Sequence, residues 1–127
     1  MKSISTENAP LAIGPYVQGV TFGNMVITSG QLPINPETKA MPDDVAEQAT
    51  QSLNNALAIL KADGLVASNI VKTTVFVKDL NDFGRVNQAY EQFFIDNEAS
   101  FPARSCVEVA RLPMDAKVEI EVIAVRG

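Results

Sequence analysis

The sequence predicts an α+β fold in which two helices pack on one β-sheet, in the order β-β-β-α-β-α-β-β. Three observations carry that reading. Two segments, 43–62 and 83–94, place their apolar residues at helical spacing. Six others alternate or are rich in β-branched residues, as strands are. The order, with three strands ahead of the first helix and two after the second, suits helices gathered on one side of a sheet.

A short strand is expected at residues 2–6. YVQGVTF (16–22) and MVITSG (25–30), separated by Gly23-Asn24, read as a hairpin with a tight turn. In DDVAEQATQSLNNALAILKA (43–62), Val45, Ala49, Leu53, Ala56, Leu57 and Leu60 form one stripe. Asp43 or Asp44 can cap its start, and Gly64 can close its end. NIVKTTVFVKD (69–79) is a β-branched strand. After DLND, a second helical stripe runs through Phe83, Val86, Tyr90, Phe93 and Phe94, with Asn81 or Asp82 as cap; its aromatics read as core. FPARSCVEVARLP (101–113) and KVEIEVIAV (117–125) read as a last antiparallel pair joined by RLPMDA. No repeat, linker or low-complexity segment interrupts the chain, so residues 1–127 read as one domain.

Composition narrows the chemistry. The chain has 127 residues, 46% apolar and 20% charged, which suits a globular domain with a substantial core. Its net charge is −5 and its Lys and Arg form no run, so nucleic acid is a poor partner. No stretch of eighteen apolar residues offers a membrane span, and the N-terminus lacks the apolar core of a signal peptide. One cysteine forms no internal disulfide, which fits a reducing, cytoplasmic setting. There is no histidine, hence no Ser-His or Cys-His dyad, no HExxH zinc site and no imidazole shuttle. Asp and Glu do not cluster either, so no tightly bound metal is expected.

The stretch 101–113 raises the functional question. Alternation puts Phe101, Ala103, Ser105, Val107 and Val109 on one face, which looks like core. Arg104, Cys106, Glu108 and Ala110 take the other. In KVEIEVIAV, Glu119, Glu121, Ile123 and Val125 share a face. A sheet face mixing Arg104, Cys106 and Glu119 with Phe76, Ala110, Ile123 and Val125 is too apolar for water and too polar for a sealed core. Burial between copies of the chain resolves this and leaves charged clefts. If 101–110 and 118–126 form a hairpin, Arg104 lies opposite residue 123 or 125 and about 13 Å from Glu119. Side-chain reach or a neighbouring subunit is then needed for both to touch one small ligand.

GPYVQG (14–19), TSGQLP (28–33), FVKDLNDF (76–83), FPARSCVEVARLP (101–113) and EIEVIAV (119–125) resemble the reactive intermediate deaminase (YjgF/YER057c/UK114) family, in order and over essentially the whole chain. One departure is Lys39, where relatives usually carry glycine after the threonine of PETKAMP. The resemblance implies a chorismate-mutase-like fold and a homotrimer with clefts between subunits. It implies cofactor-free hydrolysis of 2-imino acids, which arise from the 2-aminoacrylate or 2-aminocrotonate released by PLP-dependent dehydratases, to 2-keto acids and ammonia. Arg104 then takes the position that grips the substrate carboxylate. Tyr16, Ser29, Gly30, Asn87, Cys106 and Glu119 take the other cleft positions. The same cleft also suits a non-catalytic trimer that binds or senses small 2-keto acids. An RNA-cleaving role attached to relatives is opposed by the charge and the missing histidine.

The residue types fit that chemistry unequally. A guanidinium fork can take a carboxylate through two parallel, charge-assisted hydrogen bonds; an interface arginine paired with a carboxylate is the alternative. Glu119 can orient or deprotonate water, with a nearby arginine keeping it ionised, although a solvated strand glutamate looks the same. Cys106 reads as a small residue shaping the cleft rather than a nucleophile, since water adds to a protonated imine unaided. Tyr16, at a strand start, can close the cleft. Ser29 and Gly30, at a strand end, can offer a hydroxyl and accessible backbone N–H groups. Asn87 reads as a structural residue bonded to backbone.

Overall fold

The computed structural model describes all 127 residues. Its strands are β1 (Lys2–Ile4), β2 (Gly19–Phe22), β3 (Met25–Thr28), β4 (Ile70–Val77), β5 (Ala103–Glu108) and β6 (Val118–Val125). Helix α1 (Val45–Ala62) precedes β4, and α2 (Phe83–Asp96) lies between β4 and β5. The six strands form one sheet in the order β1-β2-β3-β6-β4-β5. Every pairing is antiparallel except β4 with β5, which is parallel and bridged by α2.

The predicted elements form where their periodicity places them. Asp44 caps α1, its carboxylate accepting from the Glu47 N–H at 3.0 Å. Gly64, at φ +82°, turns the chain out of the helix and donates to the Lys61 carbonyl. The start of α2 differs from expectation. Asp82 makes no side-chain cap, and Asp79 instead accepts from the Asn81 N–H, closing a 3-10 turn over Leu80–Asp82. That turn feeds straight into the helix, with the Asp82 N–H donating to the Asp79 carbonyl at 3.0 Å.

Both helices cover one face of the sheet. Along β6, Val118, Ile120, Val122 and Ala124 are buried beneath them, with Val75 and Val77 of β4 and Val26 of β3 alongside. Leu53, Leu60 and Phe94 fill the helix side; truncating Phe94 to alanine would cost about 3–5 kcal/mol. The opposite face is uncovered. It carries Ile27, Phe76, Ile123 and Val125, all half-buried, together with Lys72, Glu119 and Glu121. The apolar and acidic residues anticipated from β6 therefore share a face, but Arg104 and Cys106, expected beside them, lie on the other one.

Three expectations about 101–113 fail together. β5 does not form a hairpin with β6; it lies at the sheet edge, and Arg104 pairs with Thr73 rather than with residue 123 or 125. RLPMDA is not a hairpin turn. It holds Met114 at φ +58° and Asp115 at φ +54° and carries the chain from the edge strand to the centre of the sheet. The faces are also reversed. Phe101, Ala103, Ser105 and Val107 are exposed, while Arg104 and Cys106 turn toward α2. The aromatic residues of α2 supply the apolar surface there, and the arginine stem packs along it.

Candidate active site

Helix α2 builds a seat for a guanidinium. Phe83, Asn87 and Tyr90 stand at helical positions i, i+4 and i+7, which share one face. Arg104 projects from β5 onto that face. Its Cζ lies 4.8 Å from the Tyr90 ring centroid and 5.4 Å from that of Phe83. Its Nη1 donates to Asn87 Oδ1 at 2.6 Å. No carboxylate of the chain pairs with it. Its Nε and Nη2 have no hydrogen-bond partner in the chain, and this half-buried cation without a counter-ion lines a cleft of about 490 Å³. Asn87, Tyr90, Glu91, Phe101 and Pro102 line that cleft with Arg104. A larger groove of about 560 Å³ runs between the outer faces of the two helices, lined by amides such as Gln51 and Gln88, and has no cation to grip an acid.

Sequence reasoning missed part of this seat. Phe83 and Tyr90 were expected to be core; Tyr90 is buried but also presents its ring to Arg104, and Phe83 is 36% exposed. Asn87 bonds the arginine and not the backbone. The signal was the i, i+4, i+7 spacing itself, which a core stripe shares.

Cys106 lies two residues on, against the core and half-buried. Burial pushes its thiol pKa up, and Arg104 only partly opposes this. The neutral thiol suits a residue that shapes the cleft and does not attack.

A second group gathers elsewhere. Gln31 forms an isolated bridge with Ile120, its N–H donating to the Ile120 carbonyl at 2.8 Å, and this lays Ser29 and Gly30 beside the start of β6. A Cβ built on Gly30 would run into the Glu119 carboxylate, with its Cδ only 2.9 Å away, so the missing side chain is what gives Glu119 its room. Ser29 Oγ donates to the Val17 carbonyl at 2.6 Å, tying down the loop that carries Tyr16. Tyr16 is in that loop ahead of β2 and not at a strand start; its hydroxyl accepts from the Ile13 N–H at 3.3 Å and the residue is 51% exposed.

The Glu119 carboxylate makes no hydrogen bond or ion pair within the chain, and burial followed by the neighbouring charge of Glu121 pushes its pKa above the ordinary value of 4.5. The arginine expected to keep it ionised is not beside it. Glu119 pairs with Phe76 on the uncovered face, whereas Arg104 pairs with Thr73 on the helix-covered face. The seven predicted residues thus fall into two separate groups, Arg104, Asn87 and Cys106 in one and Tyr16, Ser29, Gly30 and Glu119 in the other.

Residues 6–126 match the family model described as endoribonuclease L-PSP. The chain belongs to this family. It is the reactive intermediate deaminase (YjgF/YER057c/UK114) family, and the fold is its chorismate-mutase-like α+β arrangement. The chain is 69% identical over 125 residues to the 2-iminobutanoate/2-iminopropanoate deaminase of Escherichia coli K12, covering 98% of each sequence. Among solved family members, the yjgF gene product of E. coli superposes with a TM-score of 0.99 at 67% identity, with 100% of both chains covered. E. coli TdcF, solved with bound serine, gives a TM-score of 0.98 at 57% identity over 100% of both chains. No helix of the chain is long and apolar enough to cross a membrane.

Proposed function

We propose that the protein is a cytoplasmic 2-iminobutanoate/2-iminopropanoate deaminase, hydrolysing 2-imino acids to 2-keto acids and ammonia without a cofactor. The observation that carries this reading is Arg104, a half-buried guanidinium with no counter-ion, seated on two aromatic rings at a cleft, with Nε and Nη2 unbonded within the chain. A planar 2-imino acid offers the carboxylate that this fork matches, at about 1.5–3 kcal/mol for each charged hydrogen bond. The name of the 69%-identical E. coli relative supports the same substrate, and so does the serine bound to TdcF, since it too carries an α-carboxylate.

Water adds to the carbon of the protonated imine. Glu119 takes a proton from that water as the C–O bond forms, giving a neutral carbinolamine, and returns it to the amino nitrogen. The hydroxyl oxygen then forms the C=O bond as the C–N bond breaks, ammonia leaving and the hydroxyl proton passing to Glu119. A carboxylate whose pKa is pushed up is suited to these transfers. Ser29 and the backbone at Gly30 line the same side.

The separation of the two groups favours a site shared between copies, and a homotrimer with three clefts fits it. Arg104, Asn87 and Cys106 come from one subunit; Tyr16, Ser29, Gly30 and Glu119 come from the next. The physiological source of the imine is a PLP-dependent serine or threonine dehydratase.

The experiment couples such a dehydratase to the protein and follows keto-acid and ammonia release, with Arg104→Ala in parallel. Acceleration by the wild type and none by the variant supports both the activity and the arginine. If neither accelerates release while the wild type binds 2-ketobutyrate by calorimetry, the protein is a binding module instead.

A further inference from the structure

Gripping a carboxylate with two parallel hydrogen bonds requires the plane of the Arg104 guanidinium to be fixed. Arg104 projects from an edge strand beside an open cleft, and two of its supports, Phe83 and Asn87, lie at the rim. Tyr90 is the exception at 5% exposure. Its hydroxyl lies 2.7 Å from that of Thr73, which is fully buried. Thr73 is in turn the cross-strand partner of Arg104. The three residues close a loop: strand register sets Thr73 beside Arg104, the Thr73 hydroxyl tethers the Tyr90 ring, and the ring presents its face to the guanidinium. Packing alone does not call for a phenol here, because phenylalanine fills the same space without a buried hydroxyl to satisfy.

Resting on the deaminase reading, we infer that Tyr90 and Thr73 are positioning residues for substrate binding: their hydroxyl pair sets the plane of the Arg104 guanidinium and so the edge it offers to the substrate carboxylate. They touch no reacting atom. Their effect appears in carboxylate affinity, with Asn87 fixing the remaining rotation by occupying one Nη1 hydrogen.

The test compares Tyr90→Phe, Thr73→Val and the double variant in the dehydratase-coupled assay, with Tm measured for each. Each single change strands one buried hydroxyl and lowers Tm, whereas the double change removes both and restores much of it. KM is expected to rise about 3- to 10-fold in all three, with kcat within about twofold, because binding is lost equally in the ground and transition states. A KM that stays at the wild-type value in the single variants overturns the inference. So does a KM that returns to wild type in the double variant along with Tm, since the pair would then be only structural. If the wild-type protein does not hydrolyse the imine, the deaminase reading fails separately, and the Kd for 2-ketobutyrate replaces KM in the same comparison.

Discussion

Arg104 and Glu119 stand on opposite faces of one sheet, with β4 between their strands. Their positions differ by about 10 Å across the strands and about 10 Å along them. No rotamer of either side chain brings both to a molecule the size of a 2-imino acid within one chain. If both act on one ligand, the second must come from another copy.

Mixing tests this directly. Arg104→Ala and Glu119→Gln are each expected to be inactive. When the two are denatured together in equal amounts and refolded, a shared cleft regains about one quarter of wild-type activity, because one junction in four joins an intact Arg104 to an intact Glu119. An intrachain site regains nothing.

Glu121 lies two residues from Glu119 on the same strand face, and its charge helps push the Glu119 pKa up. A like charge disfavours the ionised form, so removing it lowers the pKa. Glu121→Gln is expected to move the acid limb of the kcat/KM profile to lower pH. A limb that stays in place means that the Glu121 charge does not set the titration of Glu119.

Gly30→Ala should separate catalysis from folding. The added methyl meets the end of a flexible glutamate and not backbone, so Glu119 swings aside at little cost. The expected outcome is a fall in kcat of about 10-fold or more, the scale of a mispositioned base, with Tm nearly unchanged.

Cys106 is held as a neutral thiol by burial. Cys106→Ala is expected to keep kcat within about threefold of wild type, since no covalent step uses the sulfur. Loss of activity comparable to Arg104→Ala would point to a nucleophile after all.

Lys39 sits at φ +63°, in the left-handed region where side chains are crowded. This gives the glycine of relatives a physical reason. Lys39→Gly is expected to stabilise the fold by up to about 1 kcal/mol, the relief of strain exceeding the extra freedom of the unfolded chain. Chemical denaturation would measure it.

Most elements could be read from periodicity because the helices are amphipathic and β6 alternates strictly between buried and half-buried positions. The partner of β5 could not. An antiparallel hairpin is the local solution for two strands joined by a short loop, and nothing near residues 111–116 says that the chain crosses to the sheet centre. The inverted faces of β5 follow from the same gap, since alternation divides residues into two sets without saying which set the helix covers. Arg104 stood out as a guanidinium within an apolar strand, and family resemblance gave it and Glu119 their roles; their placement on opposite faces depends on the sheet order. Tyr90 stayed hidden because a ring that buries itself and a ring that seats a cation obey one spacing rule.

The sheet order has a further consequence for biogenesis. β6 comes last in the sequence yet lies between β3 and β4, joining the N-terminal three strands to the pair formed by β4 and β5. Until Val118–Val125 has left the ribosome, the sheet cannot be joined across β3 and β4, and the inner faces of Val26 and Val75 lack their lateral neighbour. Such long-range closure is slow and leaves strand edges open meanwhile. A polypeptide interrupted before Val118 would lose the keystone of its architecture, not a dispensable tail.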